Sequence, residues 1–278
     1  MGLRIATNVP ALNAHKNLYS TSNLQQTTMA RLASGYRINN ASDDAAGLAI
    51  SEGMKAQIRG FRQANRNAND GISLVQIAEG GLNEVSNMLT RLRELAIQSA
   101  SDTIGDKERA YTDMEYQQLK EEIERVSQTT QFNGVPLING QSGIFDIQVG
   151  VQNDQFNDRI SFDSTGTNST LEGLGLTDLA VSDKLSSQQS LAFIDDAISS
   201  VSGMRATIGA FQSRLQSASS NLMISDENLS AANSRIRDTD VAAESTTLAK
   251  TNILMQAATS VLGQANTQQQ LALKLLQA

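Results

Sequence analysis

Two long stretches of this chain repeat apolar residues every seven positions, and no other feature of the sequence restricts the fold so strongly. The first repeat reads Met54, Phe61, Ala68, Val75, Leu82, Leu89 and Ala96, and the second reads Ile194, Val201, Ile208, Leu215, Leu222, Leu229 and Ile236. A sustained seven-residue period predicts helices that pack side by side along a coiled-coil-like seam. At about 1.5 Å per residue, a helix over residues 46–99 would be roughly 80 Å long.

Between the two repeats the sequence predicts a shorter helix followed by a β-hairpin. The helix is expected after a turn at 102–106 and as far as about Thr130, with its inner face formed by Tyr111, Met114, Leu119, Ile123 and Val126. Asn-Gly pairs at 133–134 and 139–140 then give turn signals. Apolar residues alternate at 145–151 and again at 160–162, which is the pattern of a hairpin. We therefore expect a mainly α fold, an elongated antiparallel coiled-coil-like helical bundle with a small β-hairpin region near 132–165.

The two ends of the chain differ from its middle in charge. Residues 1–42 contain four basic residues and no acidic residue, and residues 241–278 contain two Lys and one Glu, although the whole chain has a formal charge of −7. Weakly charged, amphipathic segments of this kind are stable as helices only when they are packed. We expect residues 1–44 and 236–278 to form a domain of paired terminal helices, and residues 45–235 to form a helical rod. The positions expected to contact other copies of the chain are Leu12, Leu18, Leu24, Leu32, Ile253, Leu254, Val261, Leu262 and Leu275.

The composition argues against catalysis, metal binding, nucleic-acid binding and membrane insertion. The chain has no Cys and a single His, His15, so neither a disulfide nor a thiol-based metal site is expected. Pairs of adjacent acids, such as Asp43 and Asp44, do not share a helix face, so we interpret them as caps and solvated surface. The acidic middle disfavours nucleic acid, and no apolar run approaches the roughly 18 residues of a membrane span. We therefore expect no cofactor and no enzymatic activity.

Five long motifs resemble bacterial flagellin. They are RLASGYRINNASDDAAGLAIS at 31–51, TRLRELAIQSAS at 90–101, RVSQTTQFNGVPL at 125–137, SRIRDTDVAAES at 234–245 and VLGQANTQQQLALKLL at 261–276. The chain is similar to a short form of the family that lacks the outer variable domains. The resemblance implies a structural subunit that self-assembles into the helical filament of the bacterial flagellum, for motility. It also implies that residues 45–235 form the tube wall and that the paired termini form the inner core.

The resemblance further implies how such a subunit reaches the filament and what it meets there. Flagellins are exported unfolded by the flagellar type III apparatus, which fits an N-terminus without the apolar stretch of a secretory signal. The implied partners are an export chaperone at the C-terminal segment, the export apparatus, the filament cap and the hook–filament junction proteins. The implied location is the secreted flagellar filament, which is extracellular in some bacteria and periplasmic or sheathed in others.

Two further surfaces are suggested by the resemblance. The region of Arg91, Leu95 and Glu115 is similar to the flagellin surface that a host innate immune Toll-like receptor binds. The polar segment 164–170 is expected to be an exposed loop, and in many flagellins the Ser and Thr residues of such loops are glycosylated. The candidate positions for glycosylation are Ser164, Thr165, Thr167, Ser169 and Thr170.

Three other interpretations stay open on the sequence alone. A hook–filament junction protein shares the terminal helices, although FNGVPL at 132–137 and SRIRDTDVAAES at 234–245 favour flagellin. A coiled-coil binding or adhesin module would form soluble oligomers and no long polymer. An enzyme is the least supported of the three, because the sequence holds no catalytic constellation.

Overall fold

A computed structural model describes residues 7–277, with side chains described as far as residue 271. In this part of the chain the elements are α1 (Val9–Ser34), α2 (Ala45–Ser99), α3 (Asp106–Thr129), β1 (Gln131–Phe132), β2 (Val135–Pro136), β3 (Ile144–Gln148), β4 (Arg159–Asp163), α4 (Lys184–Arg237) and α5 (Val241–Gln277). The predicted mainly α fold with a small β region is confirmed. None of the described helices combines the length and the apolar character that a membrane span requires.

The chain divides into two compact units. Residues 1–56 and 228–278 form the first unit, and residues 57–227 form the second. Both divisions lie inside a helix, because α2 and α4 each contribute residues to both units. The sequence had placed its boundaries at 44/45 and 235/236, near the ends of these helices. The roles assigned to those segments remain a prediction.

In the first unit α1 and α5 pack together in antiparallel orientation. The Asn8 side chain donates to the carbonyl of Ala265 at 3.1 Å, and Arg31 forms an ion pair with Glu244 at 3.2 Å. Asn8 also caps α1 by accepting from the N–H of Ala11. These contacts fix the register of the two terminal helices along their length.

A short connection joins α1 to α2 beside the end of α4. Gly35 ends α1 with a φ of 74°, a left-handed conformation that favours glycine. Its carbonyl accepts from the N–H of Thr239 at 3.0 Å, and the N–H of Arg37 donates to the carbonyl of Arg237 at 2.7 Å. The guanidinium of Arg237 lies 4.7 Å from the centre of the Tyr36 ring. The connection between α1 and α2 is therefore hydrogen-bonded to the connection between α4 and α5.

The two aspartates before α2 accept hydrogen bonds from different segments. The Asp44 carboxylate accepts from the N–H of Gly47 at 2.8 Å and so caps α2. Asp43 instead accepts from the N–H groups of Asn39 and Asn40, at 3.1 and 2.9 Å. The interpretation of this acidic pair as capping residues therefore holds for α2 at Asp44, whereas Asp43 is engaged by the preceding turn.

In the second unit α2 and α4 run antiparallel, and the seven-residue repeats form their seam. Ion pairs mark the register: Arg93 with Asp195 at 2.6 Å, and Arg62 with Asp226 at 3.0 Å. The buried repeat positions of this unit are Ala68, Val75, Leu82, Leu89, Ala96, Ile194, Val201, Ile208, Leu215 and Leu222. The prediction of a continuous apolar seam is confirmed for this unit.

The buried face of α3 matches the predicted one only in part. Tyr111 and Met114 were expected to point inward, but they are 69% and 64% exposed. The buried positions are Arg109, Thr112, Tyr116, Lys120, Ile123 and Ser127. Ile123 is buried, and Leu119 and Val126 pack against the core as predicted. Apolar spacing missed the four polar residues of this face, several of which donate to main-chain carbonyls.

Two hairpins follow α3. β1 and β2 pair over two positions and are joined by Asn133 and Gly134, whose φ values of 49° and 80° are those of a type I′ turn. β3 and β4 pair antiparallel with Phe145 opposite Phe162. The Phe162 ring lies 5.3 Å from that of Phe211 on α4, which joins this hairpin to the helical core. The predicted β-hairpin is confirmed, and a second, shorter hairpin precedes it.

Candidate functional site

One candidate interaction surface is formed by the exposed apolar residues of the paired terminal helices. Leu12, Leu24, Ile253, Leu254 and Val261, all predicted to contact other copies, are between 45% and 66% exposed. The other predicted positions Leu18, Leu32 and Leu262 are half-buried, and the side chain of Leu275 lies outside the described residues. Five more exposed apolar residues on the same helices were not among the predicted contact positions: Val9, Tyr19, Met29, Val241 and Leu271. Their apolar character on weakly charged helices was the signal that could have identified them.

The residues buried within the first unit's helix pair are small. Ala14 and Thr28 are buried on α1, and Thr251 and Ala265 are buried on α5. Folded proteins usually place large aliphatic side chains inside and leave only scattered ones outside. Here the helices approach through small residues and present their large apolar residues to the outside. Many large apolar side chains exposed on one pair of helices are typical of a site that contacts another protein.

The three residues of the predicted receptor surface do not lie together on the surface. The Arg91 guanidinium bonds the Glu115 carboxylate at 2.8 and 3.0 Å, and both side chains are about half exposed. Hydrogen bonds that Arg91 donates to the carboxylates of Glu94 and Glu115 hold its pKa above the usual value. Leu95, in contrast, is 1% exposed and belongs to the core of the second unit. Leu95 is therefore not an exposed residue of this surface, because the helix periodicity points it inward, and the receptor role of the three residues stays a prediction.

The segment 164–170 is mostly buried, which contradicts the expected exposed loop. The hydroxyls of Ser164, Thr167 and Ser169 donate to the carbonyls of Gly143, Leu137 and Ile138, at 2.8 to 3.0 Å. All three residues are buried, and Thr170 is half-buried. Of the five candidate positions only Thr165 is exposed. A glycan on any of the three buried hydroxyls would require the loss of these hydrogen bonds.

A row of polar side chains on α3 binds the main chain of residues 171–181, here called the strap. Lys120 donates to the carbonyls of Thr177 and Leu179, at 2.9 and 2.8 Å. Burial lowers the pKa of Lys120. The same row holds Asp113, which accepts from the N–H of Val181, and Glu124, which accepts from the N–H of Leu171. This arrangement was not predicted from the sequence, although the spacing of these polar residues matches one helix face.

No cluster of three or more His, Cys, Asp or Glu side chains suited to a metal ion occurs among residues 7–271. His15 is exposed on α1. The arrangements that the described residues do form are interaction surfaces and structural hydrogen-bond networks.

The terminal helices and their flanking segments also match a known family. Residues 5–143 match the bacterial flagellin N-terminal helical region, and residues 191–276 match the bacterial flagellin C-terminal helical region. The chain belongs to the bacterial flagellin family. As a flagellin, it is a structural subunit of the bacterial flagellar filament. This membership decides against an enzyme and against the other interpretations left open by the sequence.

Named relatives match over nearly the whole chain. The flagellin of Halalkalibacterium halodurans is 46% identical over 269 residues, which cover 97% of this chain and 98% of the relative. The flagellar filament core protein flaB2 of Brachyspira hyodysenteriae is 40% identical over 284 residues, which cover 98% of this chain and 99% of the relative. The crystal structure of Bacillus cereus flagellin aligns with a TM-score of 0.51 at 28% identity, over 56% of this chain and 88% of that one. The prediction of a short flagellin is confirmed by relatives of similar length.

Proposed function

We propose that this flagellin associates with neighbouring copies through its terminal helices, which form the inner core of the filament, while residues 45–235 form the tube wall. The observation that carries the proposal is the packing of α1 against α5, in which small side chains are buried and large apolar ones are exposed. Removing such surface from water is favourable by about 25 cal/mol per Å² of apolar area. Contact between copies supplies that burial.

The same packing explains why assembly and helix formation are coupled. A helix pair that buries mainly Ala and Thr gains little from its own contact, because small side chains remove little apolar area from water. Ordering each residue costs about 1–2 kcal/mol of backbone entropy. Contacts with neighbouring copies offset this cost along the whole length of α1 and α5.

The experiment is seeded polymerisation of purified monomer, followed by electron microscopy. Leu24→Asp and Ile253→Asp each place a charge on the exposed apolar face, and Thr165→Asp is the matched control on an exposed residue of the other unit. We expect both terminal-helix variants to lose filament extension, because burying an unpaired charge costs several kcal/mol. The control is expected to extend filaments like the parent.

Two outcomes would contradict the proposal. Normal extension by both terminal-helix variants would show that this face is not the contact surface. Equal loss in the Thr165→Asp control would show that the assay responds to added charge in general. Circular dichroism of each monomer checks that the substitutions do not act by unfolding the subunit.

A second candidate function is recognition by a host Toll-like receptor at the exposed Arg91–Glu115 pair. The pair joins α2 to α3 and presents one cation and two carboxylates, including Glu94, on one surface. Arg residues often dominate binding energies at such contacts. Leu95 supports this surface only by packing beneath it.

Receptor signalling by Arg91→Ala and Arg93→Ala monomers separates this surface from general charge effects. Arg93 is a matched control because it is similarly exposed but pairs with Asp195 on α4. We expect Arg91→Ala to weaken signalling and Arg93→Ala to retain it. Equal signalling by both variants and the parent would remove the receptor proposal and leave the assembly proposal unaffected.

The remaining partners are proposed from family membership. An export chaperone is expected on the C-terminal segment, where α5 exposes Ile253, Leu254 and Val261. Export by the type III apparatus, and contacts with the filament cap and the hook–filament junction proteins, belong to the same proposal. Among the five candidate glycosylation positions, Thr165 is the one whose exposure suits modification.

A further inference from the structure

We propose that Asn133 is a site of spontaneous deamidation and that the fold protects Asn139 from the same reaction. The sequence contains two Asn-Gly pairs, at 133–134 and 139–140. They lie six residues apart, which makes one an internal control for the other. The two sites differ in exposure, in hydrogen bonding and in packing, and each of these affects how readily the reaction occurs.

The reaction needs no oxidant, metal or enzyme. The backbone nitrogen of the glycine attacks the side-chain carbonyl carbon of the asparagine, a C–N bond forms, and ammonia leaves with a proton from the glycine N–H. Water then opens the resulting succinimide at either carbonyl, which yields aspartate or isoaspartate. Glycine is the most favourable following residue because it has no side chain to hinder the attack and rotates freely.

At Asn133 the reacting groups are open to solvent. Asn133 and Gly134 are both exposed, and an added Cβ at Gly134 would meet nothing within 4 Å. Within the described part of the chain, neither the Asn133 side-chain amide nor the Gly134 N–H takes part in a hydrogen bond. No intramolecular contact therefore has to break before the side chain can rotate.

The turn must still leave its type I′ conformation to bring the two atoms together. Only two residue pairs, Gln131 with Pro136 and Phe132 with Val135, hold the hairpin closed. Two-stranded hairpins of this length are marginally stable by themselves. Local opening without global unfolding is therefore sufficient for reaction at Asn133.

At Asn139 the corresponding groups are held by packing and by hydrogen bonds. Asn139 is buried, and its side-chain oxygen accepts from the N–H of Gln141 at 3.0 Å. Its main chain pairs with that of Asn168. A Cβ at Gly140 would lie 2.8 Å from the Cβ of Asn168, which shows how closely the segment is packed. Reaction at Asn139 requires this packed region to open.

The modification changes both charge and backbone at residue 133. Either product adds one negative charge at an exposed turn. Isoaspartate also lengthens the backbone by one carbon in a connection of two residues, so it disturbs the pairing of Phe132, which packs against the core of its unit. The modified fraction is expected to rise with time after synthesis.

The test is incubation of the full-length protein in mildly alkaline buffer, with peptide mass spectrometry to quantify aspartate and isoaspartate at both positions. A parallel sample is incubated in urea, where neither site is protected by structure. In the native sample we expect modification at Asn133 to be at least about tenfold faster than at Asn139, because the two sites open with different free energies. In urea we expect similar rates.

Comparable native rates at the two positions, or faster reaction at Asn139, would overturn the proposal. So would a native Asn133 that stays unmodified over the time in which the urea sample reacts. Asn133→Gln removes the reactive side chain, and in this variant we expect the product at 133 to vanish while the slow reaction at Asn139 is unchanged. Should the substitution disturb the hairpin, the comparison of the two sites in the parent protein decides by itself.

Discussion

Gly80 and Gly81 are neighbours in α2, yet their surroundings are opposite. A Cβ at Gly81 would lie 2.6 Å from the hydroxyl oxygen of Thr130 and 2.9 Å from the terminal methyl of Ile138. A Cβ at Gly80 would meet nothing within 4 Å. Gly81 is required by the close approach of the chain that follows α3, whereas nothing in the described residues requires Gly80.

The two alanine substitutions should therefore change stability with opposite signs. Gly80→Ala is expected to raise the free energy of unfolding by about 0.5–1 kcal/mol, because glycine loses more backbone entropy in a helix. Gly81→Ala is expected to lower it by about 1–3 kcal/mol through overpacking. Urea unfolding of both variants measures the difference. A stabilising Gly81→Ala would mean that the Thr130 contact is not present in solution.

The Asp43 carboxylate makes the turn before α2 sensitive to acid. Hydrogen bonds from the N–H groups of Asn40 and then Asn39 hold the pKa of Asp43 below its ordinary value of 3.8. A carboxyl with a lowered folded-state pKa stabilises the fold above its unfolded pKa, and this contribution is lost as pH falls through the folded pKa. We expect amide exchange at Asn39 and Asn40 to accelerate in that range.

An NMR titration of the Asp43 carboxyl carbon, read together with amide exchange, checks this expectation. Asp43→Asn is the matched variant, because it keeps the side-chain shape and removes the titration. If amide exchange at Asn39 and Asn40 depends on pH equally in the parent and in Asp43→Asn, Asp43 is not the cause of the acid sensitivity.

Hydroxyl-bearing residues were the least predictable positions in the sequence. The sequence predicted an exposed loop around Ser164, Thr167 and Ser169, since Ser and Thr are common in loops. Each donates to a carbonyl that lies 21 to 31 positions earlier in the chain. Such partners carry no local sequence signal, so the burial of this segment could not be derived from composition.

At the scale of secondary-structure elements, the sequence predicted the buried face of a helix correctly where that face is apolar and incompletely where it is partly polar. The seven-residue repeats of α2 and α4 were predicted correctly because their buried positions are apolar, and periodicity alone identifies such a face. The buried face of α3 combines Tyr116 and Ile123 with Arg109 and Lys120. The two cations are tolerated there because main-chain carbonyls accept their hydrogen bonds.

Lys120 is therefore expected to stabilise the contact between α3 and the strap. Lys120→Met keeps the length of the side chain but leaves the carbonyls of Thr177 and Leu179 without this donor. We expect a loss of about 1–3 kcal/mol, because hydrogen bonds made by a charged group contribute about 1.5–3 kcal/mol. Lys107→Met, at an exposed position on the same helix, should stay within about 0.5 kcal/mol of the parent. Thermal unfolding followed by circular dichroism compares the two variants.

At the scale of the whole molecule, the two units differ in how they are stabilised. Residues 57–227 bury a continuous set of large apolar side chains, including Leu82, Leu89, Ile194 and Leu215. The α1–α5 pair buries mainly Ala and Thr along its length. The sequence indicated this difference through the weak amphipathicity of the ends, but it did not show that α2 and α4 contribute to both units.

Hydrogen exchange should distinguish the units in the monomer. We expect amides of residues 9–34 and 241–271 to exchange faster than those of 68–96 and 194–215, because local stability follows buried apolar contact. Assembly into filaments should slow exchange at the terminal helices far more than at the core of the other unit. Mass spectrometry of monomer and filament samples measures both changes. Terminal helices that are equally protected in both states would contradict the coupling of helix formation to assembly.

Because α3 binds the backbone of the strap, the side chains of the strap are free to change in evolution. Asp113, Lys120 and Glu124 bind N–H and carbonyl groups, which every residue type except proline provides in full. The exposed side chains of Thr177 and Asp178 can therefore be replaced by mutation while the bonds that fix their backbone persist. The outer side chains of the strap can thus change over generations while the path of its backbone stays the same. The anchoring helix, in contrast, has little freedom to vary at those three positions.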